Sequence, residues 1–393
     1  MSTLRRLRNC WIPWVTTFVL ACCSAALAQT SYKVTDLGVL PNDNAGCAMA
    51  LNNHGWTLEQ DAVLAPPLTG LPVKGRAVVN IDGLKIDLGT LGGPNSWMNW
   101  GGINDRGEAV GIAETSVPDP DGEDVCGFGT RLTCRPFLWR NGHMSALPTL
   151  GGNNGQASDI NSRGQIAGTA DTTFTDSGCR PHNTTLPVLW EEGKAEPLPT
   201  VGNDPDGFAF AINDQGQAVG YSGTCTQAIH AVLWENGTAF PLPDIGGGAI
   251  GQGINNQGQI VGIIGSPDGA TEYAALWQNG ALTNLGTLPG DFAAIGTGIN
   301  NRGQVVGSTL DHVFNWSRAF IWQDGVMTDL NTLFPADSNL FATMANKINE
   351  RGQISGMATI LSGPDAGTHP KSSLPANVNK QFLQRFGLGR FGR

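Results

Sequence analysis

Seven times the chain writes a variant of Ile-Asn-x-x-Gly-Gln-x-x-Gly, with starts 52, 57, 52, 42, 45 and 49 residues apart. The copies begin at Ile103, Ile160, Ile212, Ile254, Ile299 and Ile348, and a degenerate one at Leu51-Asn52-Asn53-His54-Gly55. A fixed long period constrains a fold more than any single motif, because each unit must bury its apolar face against the next. Between copies lies an apolar run ending in Leu-Trp and a Gly turn, as in Phe137-Leu138-Trp139-Arg140-Asn141-Gly142. It recurs at Trp190, Trp234, Trp277 and Trp322, and without tryptophan at Val78–Gly83. A Leu-rich segment of the type Asp87-Leu88-Gly89-Thr90-Leu91-Gly92 follows each time.

These spacings translate into strands. Asn-Gly or Asp-Gly after a short apolar run is a hairpin signal, since both turn residues need positive φ. In Asn-x-x-Gly-Gln the asparagine side chain caps an Asx-type turn, and the glycine takes the left-handed position of a bulged hairpin. Two hairpins per repeat give four antiparallel strands. The reading takes Leu-Trp as strand one, the Asp-Leu-Gly segment as strand two, Ile-Asn as strand three and Gln-Ile-Val-Gly as strand four. Four strands in this length match a propeller blade, so the expected fold is an all-β propeller of seven four-stranded blades over residues 29–376. A linear solenoid prefers shorter coils, roughly 20–30 residues. Tyr32–Gly38 enters as a second-strand motif, and Thr368–Leu374 reads as a worn Leu-Trp strand closing the first blade. Residues 377–393, with Lys380, Arg385, Arg390 and Arg393, read as a flexible basic tail.

Composition agrees. Glycine supplies 54 of 393 residues, about twice the usual ~7%, which disfavours a helical protein. The 33 acids against 23 Lys and Arg leave a net charge of −10, so a nucleic-acid partner is not expected.

Residues 1–28 read as a signal peptide: Arg5, Arg6 and Arg8, an apolar stretch from Val15, then Ala26-Leu27-Ala28 before cleavage at Gln29. The expected location is secreted or periplasmic. A transmembrane anchor is the weaker reading of so short and interrupted a stretch. Val19-Leu20-Ala21-Cys22 is an alternative lipobox that would anchor the protein to the membrane through Cys22. Five cysteines follow residue 28. In an oxidising compartment Cys126 and Cys134 can close a local loop, Cys179 and Cys225 occupy equivalent repeat positions, and Cys47 is left as a buried thiol.

The repeats resemble the HAF-type extracellular repeat family of bacteria. His230-Ala231-Val232-Leu233-Trp234 and Arg318-Ala319-Phe320-Ile321-Trp322 match one part of its consensus, Asp87–Gly93 another and Ile299–Gly307 a third. The resemblance covers about residues 32–375. It implies an exported repeat protein of propeller form and carries no catalytic residues over.

Insertions gather at 113–135, 169–186, 221–229, 264–273 and 308–317, one kind of connection that a propeller places on one face. Loops on a rigid scaffold are the usual seat of binding. Asp119, Asp121, Glu123 and Asp124 form a calcium candidate around Gly122, without the distal bidentate Glu of an EF-hand. Trp97, Trp100 and Trp316 break the repeat pattern and are candidates for stacking on a sugar. The repeat tryptophans suit packing between blades. Glu114, Asp171, Asp176, Glu272 and Asp311 are acids in or beside insertions, and nothing selects a catalytic pair among them. Three readings follow. The favoured one is a secreted, non-enzymatic propeller, with no cofactor beyond calcium, that binds a surface protein or polysaccharide. The others are an extracellular polysaccharide hydrolase or lyase, and a structural surface component.

Overall fold

The turn chemistry lands where the repeats put it. In a computed structural model describing residues 31–64, 72–98, 100–175, 183–225, 227–311 and 316–361, every Asn-x-x-Gly glycine has positive φ, from Gly258 at 73° to Gly164 at 86°. Its N–H donates to the asparagine carbonyl three residues back, as Gly216 does to Asn213 at 3.0 Å. Asn141-Gly142, Asn236-Gly237, Asn279-Gly280 and Asp324-Gly325 have positive φ at both residues, the two-residue turn whose twist suits a hairpin. Glu192 holds the same conformation before Gly193.

Blade one is β1 (Ala45–Leu51), β2 (Thr57–Leu64), β3 (Pro72–Ile81) and β4 (Leu84–Asp87). Blade two is β5 (Gly92–Trp97), β6 (Ala109–Pro118), β7 (Leu132–Arg140) and β8 (His143–Ala146). Blade three is β9 (Gly151–Ile160), β10 (Ile166–Thr175), β11 (Asn183–Glu191) and β12 (Lys194–Pro197). Blade four is β13 (Asp206–Ile212), β14 (Ala218–Thr224), β15 (Gln227–Glu235) and β16 (Thr238–Pro241). Blade five is β17 (Ala249–Ile254), β18 (Ile260–Gly265), β19 (Glu272–Gln278) and β20 (Ala281–Gly286). Blade six is β21 (Ala293–Ile299), β22 (Val305–Leu310), β23 (Trp316–Gln323) and β24 (Val326–Asp329). The seventh sheet holds β25 (Leu340–Ile348) and β26 (Ile354–Ile360) alone.

The protein is therefore an all-β propeller, with two corrections to the expectation. Among the described residues six blades are four-stranded, not seven, and the seventh sheet has two strands. Blade one draws its four strands from residues 45–87, so the incomplete blade is the last. The phase of the repeat also differs. Each sheet begins with the Ile-Asn strand and ends with the strand after the Leu-Trp hairpin. The Leu-Trp hairpin pairs with the hairpin before it, and the Asp-Leu-Gly segment crosses to the next blade. The insertions consequently lie inside blades, between second and third strands, still on one face. Residues 1–30, 176–182 and 362–393 lie outside the described residues, and with them the Ala28–Gln29 cleavage site, Cys22, Cys179, the Thr368–Leu374 strand and the basic tail. No helix among the described residues is long and apolar enough to cross a membrane.

First strands touch around the centre, β9 with β13, β13 with β17, β17 with β21, β21 with β25 and β25 with β1. The apolar core lies between blades. Trp190, Trp234 and Trp277 are each 1% exposed, each packed in a cluster that also draws residues from the preceding blade. Each indole N–H donates 2.7 Å to a proline carbonyl in the preceding connection: Pro148, Pro199 and Pro243. Burial of one such side chain is worth about 2–3 kcal/mol. The last glycine of the motif explains itself here. A Cβ on Gly220, Gly262 or Gly307 would stand within about 2 Å of a first-strand carbonyl oxygen, opposite the bulge that each first strand carries.

The motif asparagines close the ring. Each asparagine Oδ1 accepts from the backbone N–H groups two and four residues on, as Asn255 does from Gln257 and Gln259. Each Nδ2 donates to the backbone carbonyl of the next blade's asparagine: Asn52 to Asn104, Asn104 to Asn161, Asn161 to Asn213, Asn213 to Asn255, Asn255 to Asn300, Asn300 to Asn349 and Asn349 to Asn52. Except in blade one, the residue at the Gln position, Glu in blade two, accepts a further Nδ2 bond, as Gln259 does at 2.7 Å. All seven motif copies join this ring, the degenerate one at Asn52 included.

Candidate functional site: the insertion face of blades two and three

β6 and β10 run to ten residues, against six or seven in β14, β18 and β22. Their ends project past the blade. Val117 and Phe174, at equivalent positions of neighbouring blades, are 55% and 74% exposed. The base beneath them is rigid. Asp119-Pro120-Asp121-Gly122-Glu123 copies the Asn-x-x-Gly-Gln turn with Asp in place of Asn. Asp119 Oδ1 accepts from the N–H groups of Asp121 (2.9 Å) and Glu123 (3.1 Å), and Gly122 has φ 71°.

Asn154, at the start of blade three, ties this turn to its neighbours. Its Nδ2 donates to Asp119 Oδ2 (2.7 Å) and Glu123 Oε2 (3.2 Å), its Oδ1 accepts from Cys134 N, and its N–H donates to Asp171 Oδ2 at 3.0 Å. Burial, then the Glu123 charge, push the Asp171 carboxyl up to about 6. Glu114, at the equivalent position of β6, is buried one seam earlier, accepting from Thr130 Oγ1 and from Nδ2 of Asn95 at 2.8 Å, whose Oδ1 accepts from Gly75 N of blade one. A disulfide joins Cys126 to Cys134, with Cα atoms 5.8 Å apart. Cys225 is also disulfide-bonded.

The four calcium candidates do not share one centre: Asp119 and Glu123 meet at Asn154 Nδ2, while Asp121 and Asp124 turn to other partners. Asp119 is held as described, Asp121 Oδ2 accepts from Asn153 Nδ2 at 3.0 Å, and Asp124 Oδ2 accepts from Gly129 N at 2.8 Å. No group of three or more His, Cys, Asp or Glu side chains among the described residues is arranged to hold a metal ion. The donor set fits a hydrogen-bonded turn rather than a calcium cage, which wants six to eight oxygens.

The tryptophan candidates also stand apart. Trp97 packs edge-on against Phe128 (5.4 Å, 82°) beside the disulfide. Trp100 has φ 69° and reaches across to Phe210 in blade four, centroids 5.7 Å apart. Trp316 opens β23 in blade six. Trp100 joins Phe208, Phe210, Ile250, Ile295 and Met344 in one apolar cluster drawn from several blades, which fills the middle of the ring. Lys347 of the seventh sheet reaches Asp159 of blade three at 3.7 Å across the same centre. Burial raises the Asp159 carboxyl, and Lys347 opposes the shift.

Among the other acids, Asp171 lies in the seam between blades two and three, Glu114 in the seam between blades one and two, Glu272 is buried in blade five, and Asp176 lies outside the described residues. Sequence reasoning missed Asn95 and Asn154, the amides that organise the two successive seams, one to two and two to three. The exposed pair Val117 and Phe174 was missed as well. The one signal for it was strand length, hidden inside what reads as insertion.

No family model matches the chain, and no curated protein matches it. Solved propellers resemble it distantly. The β-propeller domain of the Trilobed protease from Pyrococcus furiosus shares 9% identity over 74% of this chain and 97% of that one, with a TM-score of 0.41. A gluconolactonase from Xanthomonas campestris shares 12% over 84% and 90%, at 0.38. An ulvan lyase of polysaccharide lyase family PL25 shares 9% over 83% and 78%, at 0.32.

Proposed function

We propose that the protein is an exported, non-enzymatic binding scaffold that engages a surface polysaccharide or protein through the insertion face of blades two and three. One observation carries the reading: Val117 and Phe174 project from strands whose base is locked by a disulfide and a buried amide–carboxylate network. Apolar side chains presented rigidly lose little entropy on binding, and the flanking Asp121, Asn153 and Asn183 offer hydrogen bonds at the rim. The leader-like residues 1–28 and the HAF-like repeats support export.

A polysaccharide hydrolase or lyase is the second reading, favoured by the raised carboxyl of Asp171 beside Glu123. Against it, both groups are buried and committed to Asn154. The test is binding of the purified protein to arrays of polysaccharides, cell-wall fractions and surface proteins, with and without calcium. Saturable binding is expected, weakened by roughly tenfold or more in Phe174→Asp and Val117→Asp at unchanged melting temperature. Equal binding by wild type and both variants would remove this face from consideration. Progressive loss of the bound glycan would favour the enzyme.

A further inference from the structure

Among the described residues the seventh sheet ends at β26, with no strand paired to its outer edge. β22 and β18 are buried along their whole length, whereas β26 buries Ser355 alone and leaves Ile354, Gly356, Ala358 and Ile360 half-exposed. Beside it lies a cleft of about 1,030 Å³, bounded across the gap by residues 31–39 and lined by β1 residues including Cys47. That far wall has the features of a fourth strand's end. Gly38 N donates to Asp36 Oδ1 at 2.9 Å with φ 63°, the arrangement of Gly89 with Asp87 and of Gly286 with Asn284. Tyr32 N, donating to Leu333 O at 2.9 Å, anchors the wall to the end of blade six. First, second and fourth positions of the blade are thus represented. The place between β26 and residues 31–39 is that of a third strand.

Residues 362–393 supply chain enough. A third strand here takes about nine residues, as β11 and β15 do. Phe382-Leu383-Gln384-Arg385-Phe386-Gly387 repeats Phe137-Leu138-Trp139-Arg140-Asn141-Gly142 at four of six positions, including the phenylalanine, the turn glycine and the arginine before the turn. Thr368–Leu374 lacks the Phe-Leu pair, contains Pro370 and is followed by Pro375, which removes two ladder donors. The register follows from the complete blades. Gly111 faces Phe137 and Gly307 faces Phe320, and both phenylalanines are fully buried.

We propose that residues 380–387 of this chain dock on the free edge of β26 as the third strand of the seventh blade, with Phe382 opposite Gly356 and Leu383 opposite Ser355. The segment seals the cleft between the two ends of the ring by main-chain bonds and one buried ring.

Hydrogen exchange tests it. β26 amides are expected to exchange at least roughly tenfold faster in a chain ending at residue 376 than in the full chain, and to regain protection when a peptide of residues 377–393 is added. A second measurement fixes the register. In a Cys47→Ser background, Ser355→Cys with Leu383→Cys is expected to form a disulfide within one monomer, and Ser355→Cys with Leu374→Cys is not. Unchanged exchange on truncation overturns the proposal. So does a cross-link to position 374, or one that joins two chains, which would make a second copy the occupant.

Discussion

Glu272 opens β19, 2% exposed, and among the described residues neither of its carboxylate oxygens has a hydrogen-bond partner. Burial alone pushes its pKa up to about 8, well above the ordinary carboxylate range. The folded state therefore holds a proton there that the unfolded chain has released. Stability from this group is complete below about pH 4.5. It is lost as pH rises towards 8, at up to about 1.4 kcal/mol per pH unit within that window. Asp61 and Asp171, both pushed up to about 6, act in the same direction over a lower range. Denaturant titrations between pH 5 and 9 should show stability falling with pH, and Glu272→Gln should flatten the curve above pH 6. A wild-type curve flat over that span would contradict the unpaired carboxyl. At Cys47, half-buried and free, burial and the carboxylates of Asp61 and Glu59 push the thiol up to about 12. It stays protonated and a poor nucleophile at neutral pH.

The β6–β7 hairpin is held at three levels: a turn nucleated by Asp119, a bridge from Cys126 to Cys134, and the packing of Trp97 on Phe128. The bridge closes a loop of eight residues, for which chain entropy predicts about 2–3 kcal/mol. Cys126→Ser with Cys134→Ser should lower stability by that order and admit protease within residues 119–131 first. Cleavage elsewhere first would mean that the bridge does not govern this element. Hairpins were the legible elements. Asn141-Gly142 and Asn213 to Gly216 announce their turns by residue type, because positive φ and side-chain capping belong to few residues. The left-handed turn at Glu192 was not legible, since neighbours impose it. Nor was the grouping of hairpins into blades: a periodic pattern reads the same wherever it is cut, and only hydrogen bonds between Ile166 and Trp190 or their equivalents decide the phase. The candidate site was half legible. Asp119, Cys126, Cys134 and Asp171 stand in one insertion or the next, but their meeting at Asn154 is made across a blade boundary that sequence order does not display.

At the scale of the molecule, the repeat count names the members of the ring and not the strands in each. The seven asparagines are all present, while the last sheet pairs two strands among the described residues. The asparagine ring should act as a unit. Asn255→Ala removes two accepted backbone bonds, the bond to Gln259 and the link to Asn300, leaving buried partners unsatisfied. The expected cost is about 3 kcal/mol or more. Asn256→Ala, one residue on and exposed, should cost less than about 1 kcal/mol although its side chain exchanges two bonds with Asp214; its backbone N–H bond to Asn301 Oδ1 survives the substitution. Equal losses in the two unfolding curves would show that the inner ring has no special weight.

Every link in that ring points the same way, each asparagine giving to the next and taking from the one before. The link from Asn349 to Asn52 spans 2.9 Å, within the range of the six whose partners follow one another along the chain. In the language of symmetry, the belt is a directed cycle, and covalent order leaves no mark on it. The polypeptide has a first repeat and a last one, but the non-covalent ring has neither. A blade's rank in the sequence therefore says nothing about how firmly this belt holds it.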